Sequence, residues 1–184
     1  MKVYDLKGNI VKKLKRDNKY IYFIRSYYDK KITRKNYIIS CGYQHLTSYD
    51  FEKNSIYHDY VNTIDDIIYG DFAIFDSDKI IKLIGANDKG FIYIWNYNSG
   101  IVLDTIKIIF GIEKICLWNN NYLFVLCKYD PLKLIDLNKK IIVKSFGDKG
   151  NMIKTIEKFI HPIYGPSLII LNYTGEINLW AIKK

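Results

Sequence analysis

The sequence predicts an all-β protein assembled from a repeated four-stranded antiparallel sheet, and three observations support that prediction. Aromatic residues make up 16% of the 184 residues and include 17 Tyr, and flat rings pack well on a pleated surface. A short marker that closes an alternating apolar stretch recurs at intervals of 40 to 46 residues. No segment keeps the i, i+3, i+4, i+7 apolar spacing of an amphipathic helix. A short helical turn is expected only at residues 63–69.

The marker is a pair in which an aromatic or large apolar residue is followed by the residue that begins a turn. Its five copies are Tyr4-Asp5, Tyr49-Asp50, Trp95-Asn96, Ile135-Asp136 and Trp180-Ala181. The steps between them are 45, 46, 40 and 45 residues. A period of about 40–45 residues is the length of one four-stranded propeller blade. The repeat therefore predicts a single domain over residues 1–184, with units at about 1–15 (partial), 16–60, 61–107, 108–146 and 147–184.

Alternating stretches between the markers supply the strands of each unit, and clusters of Gly, Asn, Asp and Pro separate them as turns. The first partial unit has KVYDL and NIVKKLK, and the next has YIYFIRS, NYIISCG and HLTSYD. The following units have DFAIFD, KIIKLIGA, GFIYIWN and IVLDTIK, then IEKICLW, YLFVLC, LKLID and IIVKSF. The last has MIKTIEK, SLIIL and EINLWAI.

These residues resemble the WD-repeat β-propeller family. The copy IIKLIGANDKGFIYIWNYNSGIVLDTIK (residues 80–107) is the most similar to the family pattern of strand, Asp turn, strand, Trp-Asp, Gly turn and strand. Asp88 lies seven residues before Trp95, where the resemblance implies a turn Asp of the hydrogen-bonded set that fixes each blade. The other units lack that Asp, and the family's Gly-His dipeptide is absent throughout. We therefore expect these blades to depend on apolar packing between sheets.

The strand count predicts a small or partial propeller of about four blades. The chain opens with a third and a fourth strand, continues with three complete units and ends with a unit that lacks its fourth strand. Residues 11–15 could supply that strand and close a ring of four, which propellers allow. The other interpretations are an open arc that pairs with another chain and a part of a longer gene product. We favour a partial propeller, whose exposed sheet edges a partner would cover.

Two sets of residues are predicted to matter. The structural blade residues are Tyr4, Asp5, Tyr49, Asp50, Asp88, Trp95, Asp136 and Trp180. The partner-binding candidates belong to the loops of one propeller rim, with Trp118 added at a strand end, because exposed Tyr and Arg bring contact area at low entropic cost. They are Arg16, Lys19, Tyr69, Asp71, Lys89, Trp118, Tyr129, Lys149 and Tyr173.

The function predicted from these features is a non-enzymatic scaffold that binds other proteins through the rim or an open blade edge. The net charge of +9 leaves nucleic acid or an anionic surface as the alternative partner, although only three of the basic residues are Arg. No cofactor or metal is expected, since the three His and three Cys show no ligand spacing. An intracellular location is expected, because Met1 opens into MKVYDLKGN without an apolar signal.

An enzyme with its site at the central channel is the least favoured function. It would need convergent carboxylates or His on the first strands, and we expect the charged residues there to be mixed in sign and unpaired. They are Arg25, Asp71, Asp76, Glu113, Lys114, Lys154, Glu157 and Lys158.

Overall fold

The computed structural model of the chain describes residues 2–13, 20–30, 32–43, 45–60, 69–76, 80–147 and 153–181, and these residues form seventeen β-strands and no helix. The strands are β1 (Lys2–Tyr4), β2 (Ile10–Lys13), β3 (Ile21–Tyr28), β4 (Asn36–Gly42), β5 (His45–Asp50), β6 (Ser55–Asp59), β7 (Tyr69–Asp76), β8 (Ile81–Asn87), β9 (Phe91–Asn96), β10 (Val102–Lys107), β11 (Ile112–Leu117), β12 (Tyr122–Cys127), β13 (Leu132–Asp136), β14 (Ile141–Phe146), β15 (Ile153–His161), β16 (Gly165–Asn172) and β17 (Ile177–Ala181).

The strands build antiparallel sheets in which neighbours in sequence are neighbours in space. Blade 1 is β3–β6, blade 2 is β7–β10 and blade 3 is β11–β14, each with four strands, while blade 4 is the three-stranded sheet β15–β17. The remaining strands, β1 and β2, form a separate hairpin. Contacts between sheets run from β3 to β7, from β7 to β11 and from β11 to β15, so the first strand of each blade faces the propeller axis. The prediction of an all-β propeller of about four antiparallel blades is confirmed.

In blades 1, 2 and 3 the second residue of the marker caps the turn between the third and fourth strands. A side-chain oxygen of Asp50 accepts the N–H groups of the residues two and three positions later, both at 2.9 Å. Asn96 and Asp136 do the same in blades 2 and 3. These turns close on residues in the left-handed region, Asn54, Gly100 and Lys140. A short oxygen-bearing side chain is needed there because the turn leaves those N–H groups without backbone partners.

Successive side chains of a strand point to opposite faces of the sheet, and in these strands both faces of a blade carry apolar side chains. In β12, Leu123 and Val125 pack toward blade 2, whereas Phe124 and Leu126 pack toward blade 4. The resulting interfaces between consecutive blades are continuous apolar cores, as the lack of the family's polar set predicts. The largest side chains fill the interface of blades 1 and 2, where Tyr60 and Trp95 meet edge to face with ring centroids 5.9 Å apart.

Ion pairs tie the first strands together at the axis, so the expectation that these charges are unpaired is wrong. Arg25 of blade 1 donates to the carboxylate of Asp71 in blade 2 at 3.2 Å and to the Phe72 carbonyl at 2.9 Å. The other Asp71 oxygen accepts the N–H of Ile115 in blade 3 at 3.1 Å. One carboxylate therefore links three blades. A similar pair joins blades 3 and 4, where Lys114 Nζ lies 3.1 Å from a Glu157 oxygen.

The N-terminal strand does not complete blade 4. Among the described residues, β2 pairs only with β1, and Lys12 anchors the hairpin to blade 1 by donating to the Phe51 carbonyl and lying over the Phe51 ring. Ring closure through residues 11–15 is thus wrong for residues 11–13, and residues 14–15 lie outside the described residues. The predicted helical turn also lies outside them, apart from Tyr69, which begins β7. The described residues contain no helix of the length and apolar character needed to cross a membrane.

Candidate partner-binding surfaces

Three of the predicted contact residues occupy equivalent turns on one rim. Lys89, Tyr129 and Tyr173 lie in the turns between the second and third strands of blades 2, 3 and 4. These turns share a rim because the blades repeat the same up-and-down order of strands. All three side chains are exposed, and the exposed fraction reaches 76% at Tyr129. The structure therefore presents two Tyr rings and one ammonium on adjacent blades.

A hollow of about 420 Å³ opens on the same rim, beside the row of turns. It is lined by Tyr22, Phe23, Asp88, Gly111, Ile112, Glu113 and Lys128. The Lys128 ammonium lies 5.3 Å from the centroid of the Tyr129 ring, so the hollow is contiguous with the row of turns. An apolar floor with charges of both signs around it suits a partner that offers an apolar side chain and polar neighbours.

The remaining predicted contact residues are distributed differently. Asp71 is fully buried at the axis and is not a surface contact. Burial raises the pKa of the Asp71 carboxyl, and the Arg25 guanidinium and the N–H donors oppose that increase. Arg16, Lys19 and Lys149 lie outside the described residues, as does the side chain of Tyr69. Trp118 lies between the first and second strands of blade 3, on the opposite rim.

Most predicted structural residues lie where the repeat requires. Tyr49 and Trp95 are buried, and Asp5, like Asp50 and Asp136, accepts N–H groups of the turn that follows it. Of the other three predicted structural residues, Tyr4 and Asp88 are exposed, and Trp180 is half-buried. Asp88 is exposed, and the adjacent Asn87 caps the turn, accepting the N–H groups of Lys89 and Phe91 at 3.0 and 2.9 Å.

A second candidate surface is an apolar groove between blades 3 and 4, which we call the blade-4 groove. Its volume is about 510 Å³, and its lining residues are Trp118, Phe124, Leu134, Phe146, Leu168, Leu179, Trp180 and Ala181. Phe146 and Trp180 meet across it with ring centroids 5.2 Å apart. The groove runs along β17, which pairs with β16 on one side and has no other strand partner among the described residues. Sequence reasoning missed the groove because its walls come from two units.

Several lysine side chains contact aromatic rings on different blades. Lysine ammonium groups lie over the rings of Phe51, Phe91, Phe110, Phe146 and Trp118 on different blades. Long lysine stems pack on such rings while the charge stays near water. Part of the lysine excess therefore serves blade packing.

The described residues contain no group of three or more His, Cys, Asp and Glu that could hold a metal ion. All three cysteines, Cys41, Cys116 and Cys127, are buried. Burial raises the pKa of Cys116 to about 11 and that of Cys127 to about 12. These two thiols stay protonated at neutral pH and are poor nucleophiles.

Comparison with known proteins identifies the fold. No known protein family and no curated protein sequence matches the chain. Among 676 matching chains of known structure is a crystal structure of BBS1N in complex with ARL6DN, soaked with lead. The two folds agree with a TM-score of 0.76 over 98% of this chain, at 12% sequence identity. The likeness shows a β-propeller architecture. The match covers 58% of that chain, so the present chain spans less than two thirds of its length.

Proposed function

We propose that this protein is a non-enzymatic protein–protein interaction scaffold of degenerate WD-repeat type. The observation that carries the proposal is the row of exposed Tyr129 and Tyr173 beside the hollow of about 420 Å³. Large rings fixed on rigid strand-connecting turns provide contact area without a large ordering cost on binding. The propeller neighbour was crystallised in a complex, as the name of that structure states, and this supports a protein partner.

The WD-repeat assignment draws its support from the turn that follows each marker. Asp50, Asn96 and Asp136 keep one capping role although the aromatic residue before them varies. The proposal that the scaffold is not an enzyme draws on the axis, where Asp71 and Arg25 are engaged with each other. A charged pair that holds blades together is a poor acid–base catalyst, since the Asp71 carboxylate is fully buried and already accepts hydrogen bonds from Arg25 and Ile115.

Capture of partners from an extract of the source cells tests the proposal. The bait is the full chain, and the rim variant replaces both Tyr129 and Tyr173 by Ala. Tyr164→Ala is the matched control, because Tyr164 is also an exposed tyrosine but lies between the first and second strands of blade 4, on the opposite rim. We expect the same proteins on wild-type and Tyr164→Ala beads and their loss from the rim variant.

Equal capture by all three baits would contradict rim binding. A salt series on the same beads addresses the alternative of nucleic acid, for which affinity falls steeply with salt concentration. Retention of the captured proteins at high salt and after nuclease treatment supports the scaffold, and their loss would favour the alternative.

A further inference from the structure

The hairpin formed by the first two strands is longer in blades 1 and 4 than in blade 3. The equivalent starting points, each beside the first residue of the marker, are the pairs Ser26–Ile38, Leu117–Leu123 and Lys158–Leu168. Beyond this pair, one more pair of residues precedes the turn in blade 3, and three precede it in blades 1 and 4. At about 3.3 Å per residue, the longer hairpins reach about 7 Å past the blade 3 turn, on the rim opposite Tyr129 and Tyr173.

The turn at the end of the blade 4 hairpin is fixed by one of its own side chains. His161 Nδ1 accepts the N–H groups of Ile163 and Tyr164 at 3.1 and 3.2 Å. The imidazole ring also stacks on the Tyr164 ring, with ring centroids 4.6 Å apart. The exposed fraction is 80% at Ile163, 55% at Tyr164 and 67% at the neighbouring Ile160. This tip therefore presents an apolar surface that is ordered before any partner binds.

The turn at the end of the blade 1 hairpin is built in the same way. The Asp29 carboxylate accepts the N–H groups of Ile32 and Thr33 at 3.0 and 2.9 Å. Ile32 is 60% exposed, and the exposed side chains of Lys30 and Arg34 lie two residues to either side of it. Both long hairpins thus end in an exposed isoleucine on a fixed turn.

The exposed charges of this rim are mainly positive. On the described turns that end there, the exposed carboxylate is Glu52 and the exposed cations are Lys30, Arg34, Lys53, Lys139 and Lys140. Lys140 pairs with Asp104, and the buried carboxylates of these turns accept N–H groups, as described for Asp50 and Asp136. The hollow on the other rim has charges of both signs, so an anionic partner suits the rim of the long hairpins better.

We propose that this rim binds the surface of an anionic lipid bilayer, with Ile32, Ile163 and Tyr164 entering the headgroup region. Apolar side chains of peripheral proteins are buried about 5–10 Å deep at that boundary, which matches the projection of the two tips. Tyrosine is enriched at the membrane–water interface. Lys139 belongs to the turns of blade 3 and stays at headgroup level, where each basic side chain strengthens attraction to anionic lipids.

This inference goes beyond the scaffold function, because it assigns a different rim to a different class of partner. Nucleic acid also carries negative charge, but binding to its phosphates brings no apolar medium for the two isoleucines. A bilayer supplies both the charge and the apolar medium. With the bilayer on one rim, Tyr129 and Tyr173 remain open to a protein on the other.

Co-sedimentation of the full chain with lipid vesicles tests the proposal. The vesicles contain phosphatidylcholine and phosphatidylserine in a ratio of about 4:1, and pure phosphatidylcholine vesicles are the lipid control. We expect the chain to sediment with the mixed vesicles and to stay in solution with the pure ones. Lack of association with the mixed vesicles would overturn the proposal.

Two variants, each with a matched control on the other rim, locate the contact. Ile163→Asn should weaken vesicle binding about tenfold, whereas Ile109→Asn, at an isoleucine that is 89% exposed between β10 and β11, should leave it unchanged. Reversing the charge of Lys30 and Arg34 to Glu should weaken it at least about thirtyfold. The same change of net charge at Lys89 and Lys128 should weaken it less than about threefold.

Equal losses in a variant and its control, or unchanged binding by Ile163→Asn, would overturn the proposal. Full competition by a nucleic-acid duplex whose own binding requires Lys30 and Arg34 would also overturn it, because the rim would then serve nucleic acid. All four variants alter exposed side chains, and circular dichroism checks that they fold. The vesicle test leaves Tyr129 and Tyr173 unchanged, so its failure and the failure of the capture test are separate results.

Discussion

Replacing Asp71 by alanine should lower the free energy of unfolding by about 2 kcal/mol. The Asp71 carboxylate is fully buried and accepts hydrogen bonds from Arg25 and from the N–H of Ile115. Truncation leaves the Ile115 N–H without its acceptor in the interior, which costs about 1–3 kcal/mol. The ion pair with Arg25 contributes less to the free energy of unfolding, under about 1 kcal/mol. The Arg25 side chain is 41% exposed, and in the variant it would still donate a hydrogen bond to the Phe72 carbonyl.

Burial of the charge offsets part of this stabilisation, since desolvation is the largest influence on the Asp71 pKa and raises it. The net loss should therefore stay near about 2 kcal/mol, which corresponds to a fall in Tm of about 4–8 °C for a chain of this size. Urea titration followed by tryptophan fluorescence and circular dichroism measures the change.

Asp104→Ala is the control for this prediction. Asp104 also joins two blades, through Lys140 at 2.8 Å, but that pair lies at the surface, where ion pairs contribute less than about 1 kcal/mol. If the Asp71 and Asp104 variants lose the same small amount of stability, the buried carboxylate does not hold the blades together, and our account of the axis is refuted.

Three further predictions concern single sites. Asp136→Ala should cost about 1 kcal/mol in urea titration, because two turn N–H groups lose their acceptor; an unchanged midpoint would argue against the capping role. Gly85→Ala should cost about 1–3 kcal/mol, since the added Cβ would lie 2.9 Å from the Trp95 ring, and calorimetry showing an equal or higher Tm would count against that packing. The raised pKa of Asp71 means that the folded state keeps this proton to higher pH than the unfolded state. Its contribution to stability is thus full below the unfolded value of 3.8 and is lost as pH rises through the folded value. The stability of the wild type relative to Asp71→Asn should therefore decline as pH rises above 3.8, and an increase in that stability difference with pH would contradict the raised pKa.

The repeat was readable from the sequence because one physical need recurs in each unit. The turn after the third strand requires an oxygen-bearing side chain. Asp50, Asn96 and Asp136 therefore recur at equivalent places in their blades, although the residues before them vary. The resemblance implies that Asp88 belongs to a hydrogen-bonded set that fixes the blade, and the side chain that accepts the N–H groups of this turn is that of Asn87, one residue earlier.

The axis and the grooves could not be derived in the same way, because their contacts join different units. A signal was nevertheless present in the spacing. Arg25 and Asp71 are 46 residues apart, and Lys114 and Glu157 are 43 apart, so each pair is separated by about one period. Charged residues of opposite sign at equivalent places on consecutive first strands therefore predict pairing across blades. No such rule identifies the partner. The side chains exposed on the assembled blades are what indicate the chemistry of a partner.

Amide hydrogen exchange tests most directly the claim that the described residues form three four-stranded blades and a fourth sheet in which β17 pairs on one side. Strands β9 and β13 pair on both sides, so their amides should be protected along the whole strand. In β17, only the amides that bond to β16 should be slow, and those on the opposite side should exchange rapidly. Uniform protection along β17 in the absence of any partner would show that blade 4 is already complete and would contradict the account.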